Sequence, residues 1–220
     1  MKRLTRNEIA SRVAREIPDG SFVNLGIGLP TLVADYVPHG IEVLLHSENG
    51  ILNVGPKPPA AEEDWDLVNA GKEPVTLLPG GAYFDSSLSF MMMRGGHLDY
   101  SILGAYQISG SGDLANWSMG TNNDLPAVGG AMDLAVGARK IWAIMEHVTK
   151  SGAPRIVRTC TLPLTAPRVV TRIFTDLAVI DVTPDGLVVC EIVASLDLAR
   201  LQEMTEASLS TSNDLKVLTA

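Results

Sequence analysis

Short apolar runs bounded by glycine and proline alternate along this chain with stretches whose apolar residues recur at helical spacing. Thr5-Arg6-Asn7-Glu8 has the spacing of a capping box, and Ile9, Ala10, Val13, Ala14 and Ile17 mark one face of a helix that Pro18-Asp19-Gly20 ends. Phe22-Val23-Asn24-Leu25 reads as a strand running into Gly26-Ile27-Gly28, with Pro30 suited to the first turn of a helix carrying Leu32, Val33 and Tyr36. Val43-Leu44-Leu45 is a second short strand, and Asn49-Gly50 favours a tight turn after it because both residues tolerate positive φ. Val75-Thr76-Leu77-Leu78 reads as a buried strand followed by a Pro79-Gly80-Gly81 loop. Asp85 or Ser86 caps a helix through Phe90 and the core-filling Met91-Met92-Met93, which Gly95-Gly96 closes.

Strand character resumes over Tyr100–Ile108 and again over Lys140–Met145, with Gly129-Gly130 standing just before a short helical stretch between them. Leu177–Val182 and Leu187–Ile192 flank Thr183-Pro184-Asp185-Gly186, a hairpin turn. Ser195 caps a last helix bearing Leu198, Leu201 and Met204, and the tail beyond Ser208 is loosely attached. Strands alternating with helices predict an α/β fold: an open, mostly parallel sheet flanked by helices, with one antiparallel hairpin near the C-terminus. At 220 residues, 1–220 forms a single domain large enough for a core without disulfide or metal support.

Chemistry points first to Glu48. An apolar run stops there at a carboxylate, and in open α/β sheets ligands collect beyond the carboxyl ends of the strands. Ile51-Leu52-Asn53-Val54 carries no charge. A carboxylate beside it is partly desolvated, which raises its pKa and strips water from a nucleophile.

Composition excludes other readings. The chain is 46% hydrophobic and carries a net charge of −8, which argues against nucleic acid or an anionic membrane surface as partner. No apolar segment approaches the roughly 18 residues that span a bilayer, so a cytoplasmic protein is expected. Gly26-x-Gly28 lacks the third glycine of the dinucleotide fingerprint, having Leu32 near that place. His39, His46, His97 and His147 show no metal-ligand spacing, so no metal is expected. Cys160 and Cys190 form no CxxC pair and read as buried small hydrophobes. The acidic run Glu62, Glu63, Asp64 and Asp66 around Trp65 reads as solvated surface.

Six segments taken together resemble the B (β) subunit of the 3-oxoacid CoA-transferases. They are Asn24-Leu25-Gly26-Ile27-Gly28-Leu29-Pro30-Thr31, Ser47-Glu48-Asn49-Gly50, Asp66–Lys72, Arg94-Gly95-Gly96-His97, Gly112–Trp117 and Gly129-Gly130-Ala131-Met132-Asp133. The resemblance implies the CoA-transferase/NagB/RpiA-like fold, with Glu48 as the nucleophile that carries a glutamyl-CoA thioester. It implies that Gly130 donates an amide to the tetrahedral intermediates. Asn24, Gly26, Gly28, Asn49, Gly50, Gly95, Gly96 and Gly129 are its implied substrate and CoA contacts.

No permanently bound cofactor is implied; coenzyme A esters are the substrates, with succinyl-CoA as donor and a 3-oxoacid as acceptor. The implied partner is a separate A (α) subunit of the transferase, in an A2B2 hetero-oligomer with the site at the interface. Pro126-Ala127-Val128-Gly129-Gly130 and Gly137-Ala138-Arg139 look more like the 3-oxoadipate enzymes of aromatic catabolism than the acetoacetate enzymes. The second carboxylate of 3-oxoadipate requires a cation, for which Arg94 and groups on the α subunit are candidates. Asn53 stands where the family has glycine, and asparagine is the residue next most tolerant of a left-handed backbone. An acetoacetate or short-chain transferase, a phosphorylated-sugar isomerase of the same fold, and a non-catalytic partner subunit are the alternatives.

Overall fold

The computed structural model describes residues 2–120 and 127–220. Helix α1 (Arg6–Ala14) begins at the expected capping box: Thr5 Oγ1 accepts from the Glu8 N–H at 3.2 Å and Glu8 Oε2 accepts from the Thr5 N–H at 2.7 Å. A nine-residue helix is marginal alone, and burial of Ile9, Ala10, Val13 and Ala14 holds it in place. Then follow β1 (Ser21–Leu25), β2 (Val43–Ser47), β3 (Ile51–Val54), β4 (Leu77–Tyr83), α2 (Ser86–Arg94) and β5 (Tyr100–Gly104). The chain continues through β6 (Gln107–Ser109), β7 (Leu114–Ala115), α3 (Ala131–Gly137), β8 (Lys140–Ile144), β9 (Ile156–Val157) and β10 (Val170–Phe174). It ends with β11 (Ala178–Thr183), β12 (Gly186–Ile192), α4 (Leu198–Glu203) and β13 (Leu209–Val217).

Ten of these strands make one sheet in the order β13-β12-β11-β10-β8-β5-β1-β2-β3-β4, and β7-β6-β9 make a second, small one. The middle five, β10-β8-β5-β1-β2, are parallel. Such strands are covered on both faces and are correspondingly apolar: Ile102, Leu103, Ile141, Ala143 and Ile144 are all at or below 3% exposure. Tyr100, Trp142 and Phe174, from three adjacent strands, pack as tilted rings at 4.4 and 5.4 Å between centroids. Registers of Asn24 with His46, Leu25 with Ile102 and Gly104 with Ile144 bring the carboxyl ends of β1, β2, β5 and β8 to one edge. No helix among the described residues is long and apolar enough to cross a membrane.

The C-terminal hairpin is β11 and β12, antiparallel to each other, with β11 antiparallel to β10. A second antiparallel set, β3 and β4, extends the opposite edge. There the sequence expectation fails, because Pro79-Gly80-Gly81 lies inside β4 and not in a loop after a buried strand. An edge strand needs no donor from Pro79, and a Cβ at Gly81 would meet Leu52 O at 2.9 Å. The tail beyond Ser208 is likewise not loose: it forms β13, parallel to β12, and Leu218 is buried behind it.

Smaller departures have local causes. The segment after Pro30 is a 3-10 helix over Leu29–Tyr36, in which Thr31 donates its N–H to Gly28 O at 3.2 Å; Pro30 and the β-branched Thr31 and Val33 weaken the α preference. Asp197, not Ser195, caps α4, accepting from the Arg200 N–H at 2.8 Å. Asp85 caps α2, but of the three methionines only Met93 is fully buried and Met91 is 60% exposed. Both cysteines are half-buried, and Cys190 Sγ donates to Asp181 Oδ2 at 3.2 Å.

Candidate active site

Glu48 stands at the head of the turn joining β2 to β3, which Gly50 closes with its N–H on Ser47 O at 2.9 Å. Gly50 has φ +116, and a Cβ there would lie 2.0 Å from Phe84 O, so both conformation and space require glycine. The residues on either side of Glu48 are tied to one neighbouring segment. Ser47 Oγ accepts from the Ala70 N–H at 2.9 Å, and Asn49 Nδ2 donates to Val68 O at 2.7 Å. Two sequence motifs far apart in the chain, Ser47–Gly50 and Asp66–Lys72, are thus halves of one local structure.

Beneath this turn His46 is buried between Asn24 Nδ2 at 3.2 Å, Ser89 Oγ at 3.0 Å and the ring of Phe84 stacked at 6.0 Å. Burial lowers the His46 pKa to about 4, so the ring is neutral at physiological pH. Asn24 also donates to His46 O at 3.0 Å, bracing β2 against β1. Asn53 has φ +61 at the bulge where β3 slips against β4, and its Nδ2 donates to Pro79 O at 3.0 Å. Asparagine therefore holds the left-handed position by its side chain as well as by its tolerance of it.

The Glu48 carboxylate lies on Gly130, the N-cap of α3. A Cβ on residue 130 would stand 2.9 Å from Glu48 Oε1 and 3.0 Å from both Cδ and Oε2. Burial raises the Glu48 pKa above the ordinary carboxylate value, and the nearby Asp133 in the first turn of α3 raises it further. Asp133 is itself bound by Arg94, Nε to Oδ1 at 2.6 Å. Arg94 is thus engaged on α3 and also faces the Phe90 ring at 5.5 Å.

Glu48 and Gly130 open on a cleft of about 650 Å³ at the carboxyl ends of β1, β5 and β8. Gly26 and Gly129 line it as well, and Gly26 packs so closely on β5 that a Cβ would meet Ile102 O at 3.2 Å. Gly28 lines an adjoining groove of about 490 Å³ beyond the exposed Ile27. Asn24, Asn49 and Gly50 do not line the cleft and serve the turn and its strand. Gly95 and Gly96 are also outside it: they close α2, Gly96 at φ +72, and a Cβ on Gly95 would meet Met91 O at 2.9 Å. Pro126 lies outside the described residues.

Sequence reasoning missed the charge of Asp133 against Glu48, although Asp133 belongs to a motif already singled out. It missed the Asn24–His46–Ser89 row, which no local spacing announces. It also missed Arg6, Lys150 and Arg155, which line the cleft from three separate segments. Among the described residues, no group of three or more His, Cys, Asp or Glu is placed to hold a metal.

The site is thus a half-buried carboxylate on a backbone turn, set against Gly130 in a cleft at the strand ends, and the chain belongs to the coenzyme A transferase family, whose sequence model matches residues 6–191. Within that family it is 57% identical over 207 residues to the B (β) subunit of 3-oxoadipate CoA-transferase from Acinetobacter baylyi, covering 94% of this chain and 95% of that one. It is 48% identical over 210 residues to the B (β) subunit of a probable succinyl-CoA:3-ketoacid coenzyme A transferase from Bacillus subtilis, covering 96% and 97%. The fold matches the acyl-CoA transferase apoenzyme of Escherichia coli O157:H7 with a TM-score of 0.77 at 20% identity, over 98% of this chain and 43% of that chain.

Proposed function

We propose that this chain is the β subunit of a transferase that moves CoA from succinyl-CoA to a 3-oxoacid, 3-oxoadipate in preference to acetoacetate, through a thioester on Glu48. The observation that carries the reading is the placement of a half-buried carboxylate directly on Gly130. The acceptor preference rests on the 57% identity to a relative named for 3-oxoadipate.

An ionised Glu48 oxygen attacks the acyl-CoA carbonyl, and expulsion of the CoA thiolate leaves a mixed anhydride. The thiolate then attacks the Glu48 carbonyl of that anhydride; the donor acid departs as its carboxylate and a glutamyl-CoA thioester remains. The acceptor carboxylate attacks that thioester, releasing thiolate and giving a second anhydride. Thiolate attack on the acceptor carbonyl returns Glu48 and yields the new CoA ester. Anhydride and thioester are comparable in energy, so neither covalent state is a deep trap.

Two of the four tetrahedral intermediates form at the Glu48 carbon, where we assign the Gly130 amide as a donor to the oxyanion. A donor in that role lowers the barrier by about 3 kcal/mol. Coenzyme A esters are substrates here, and no resident cofactor takes part. The relatives are named as B (β) subunits, and from that we infer a separate α subunit that completes the cleft, in an A2B2 assembly.

The test is the intact mass of this chain, co-expressed with its α partner and incubated with succinyl-CoA, before and after borohydride. A CoA adduct that maps to Glu48 and disappears on reduction supports the reading. A folded complex that gives no adduct with any acyl-CoA overturns it.

A further inference from the structure

The cleft that holds Glu48 carries charge of the opposite sign elsewhere on its wall. Arg6, Lys150 and Arg155 line it against two carboxylates, Glu48 and Glu146, in a chain whose net charge is −8. Arg155 has a largely enclosed side chain, 22% exposed. Its backbone is clamped where the chain enters β9: its N–H donates to His147 O at 3.2 Å and its C=O accepts from the Ile108 N–H at 2.9 Å. The guanidinium, by contrast, is loosely held. Nη1 lies 3.5 Å from Ala105 O and Nη2 lies 3.6 Å from Glu146 Oε2. Both contacts are at the outer limit for such bonds, so a ligand carboxylate offering two oxygens to the planar fork replaces them with shorter, charge-assisted ones.

Position selects the ligand. Ala105 directly follows β5 and Glu146 comes soon after β8, the strand beyond it, while only β1 stands between β5 and β2, so the guanidinium sits two to three strand spacings, about 10 to 14 Å, along the sheet edge from the strand that leads to Glu48. Both side chains line the one cleft, and a short diacid held at both ends bridges them. The pantetheine arm of CoA is far longer than that separation, so a phosphate at its far end falls outside it.

We propose that Arg155 is a specificity-determining residue that binds the distal carboxylate of a dicarboxylic acyl group while the thioester carbonyl faces Glu48. This rests on the transferase reading above and adds the substrate class. Succinyl and 3-oxoadipyl groups both carry such a carboxylate, and Arg155 answers the requirement that Arg94, bound to Asp133, does not meet.

Succinyl-CoA and butyryl-CoA differ by a terminal carboxylate in place of a methyl group. The experiment compares the rates at which each loads CoA onto Glu48 in the complex with the α subunit, by quenched intact mass at subsaturating ester. Arg155→Gln is expected to lower the succinyl-to-butyryl ratio of second-order rate constants about 10- to 100-fold. Arg155→Lys, which keeps the charge and loses the fork, recovers part of that ratio. An unchanged ratio in Arg155→Gln overturns the assignment. So does an equal fall for both esters, which places Arg155 on the CoA moiety or in the fold. A wild-type complex that loads from neither ester removes the transferase reading, and the specificity role falls with it.

Discussion

The Glu48 carboxylate fills the space in which a side chain on residue 130 would stand, its Oε1 2.9 Å from the place of a Cβ. Residue 130 has φ −73 and ψ −6, values that any residue adopts. Glycine is therefore required at this position by the carboxylate and not by the backbone.

Gly130→Ala separates activity from stability. The added methyl group displaces the Glu48 side chain, whose flexible end yields, while the helical backbone accepts alanine. Stability is expected to hold or to rise by about 0.5 kcal/mol. Displacing a reacting group by about 1 Å costs on the order of 100-fold in turnover. Thermal unfolding together with kcat for CoA transfer checks the pair; wild-type turnover in a folded variant would show that the contact is immaterial.

Glu48→Gln abolishes the covalent adduct and stabilises the fold near neutral pH. The Glu48 pKa is raised in the folded protein, so protonation favours folding: its contribution is complete below the unfolded pKa and lost as pH rises through the folded one. At pH 7 the ionised carboxylate costs stability that the amide does not. Tm is expected to rise by about 2 °C at pH 7 and to match wild type near pH 3. Scanning calorimetry at the two pH values decides it.

The acid limb of kcat/KM falls above the ordinary glutamate value of 4.5, because the nucleophile must be ionised and burial and Asp133 both oppose ionisation. Asp133→Asn removes one opposing charge and releases Arg94, and both effects move the limb to lower pH. A limb that moves up, or one unaltered by the substitution, contradicts the electrostatic coupling of the two carboxyls.

Stability falls steeply on acidification for a separate reason. Burial lowers the pKa of His46 and of His147 to about 4 from the usual 6.5. Neither ring takes up a proton until well below the pH at which the unfolded chain does. The stability they confer is complete above pH 6.5 and lost as pH falls toward 4. Urea unfolding between pH 6.5 and 4.5 is expected to show a slope approaching about 2.7 kcal/mol per pH unit from the two rings. His147→Gln should lower that slope by about half.

How much was legible in the sequence follows from where each residue's constraint arises. Thr5, Asp85 and the Asn49-Gly50 turn act on neighbours within three residues, and their patterns predicted their structures. The parallel core was legible because strands buried on both faces are nearly continuous apolar runs. The two edges were not: β4 and β13 expose most of their residues and carry glycine, proline or polar side chains, a composition that an edge accepts and a loop shares. In the site, Glu48 stood out as a charge ending an apolar run. Arg155 did not, since its meaning comes only from the sheet order that sets it across from Glu48.

The tethers on Ser47 and Asn49 also bear on time. With one hydrogen bond on each side of Glu48 to the same segment, the turn cannot rock in either direction without breaking a bond. What motion is left to the nucleophile is rotation about its own side-chain bonds. The transfer cycle proposed above, which visits the same carbon as carboxylate, anhydride and thioester, would thus run on a stationary mount, with the ordering entropy spent once, at folding, and not again at each of its four covalent steps.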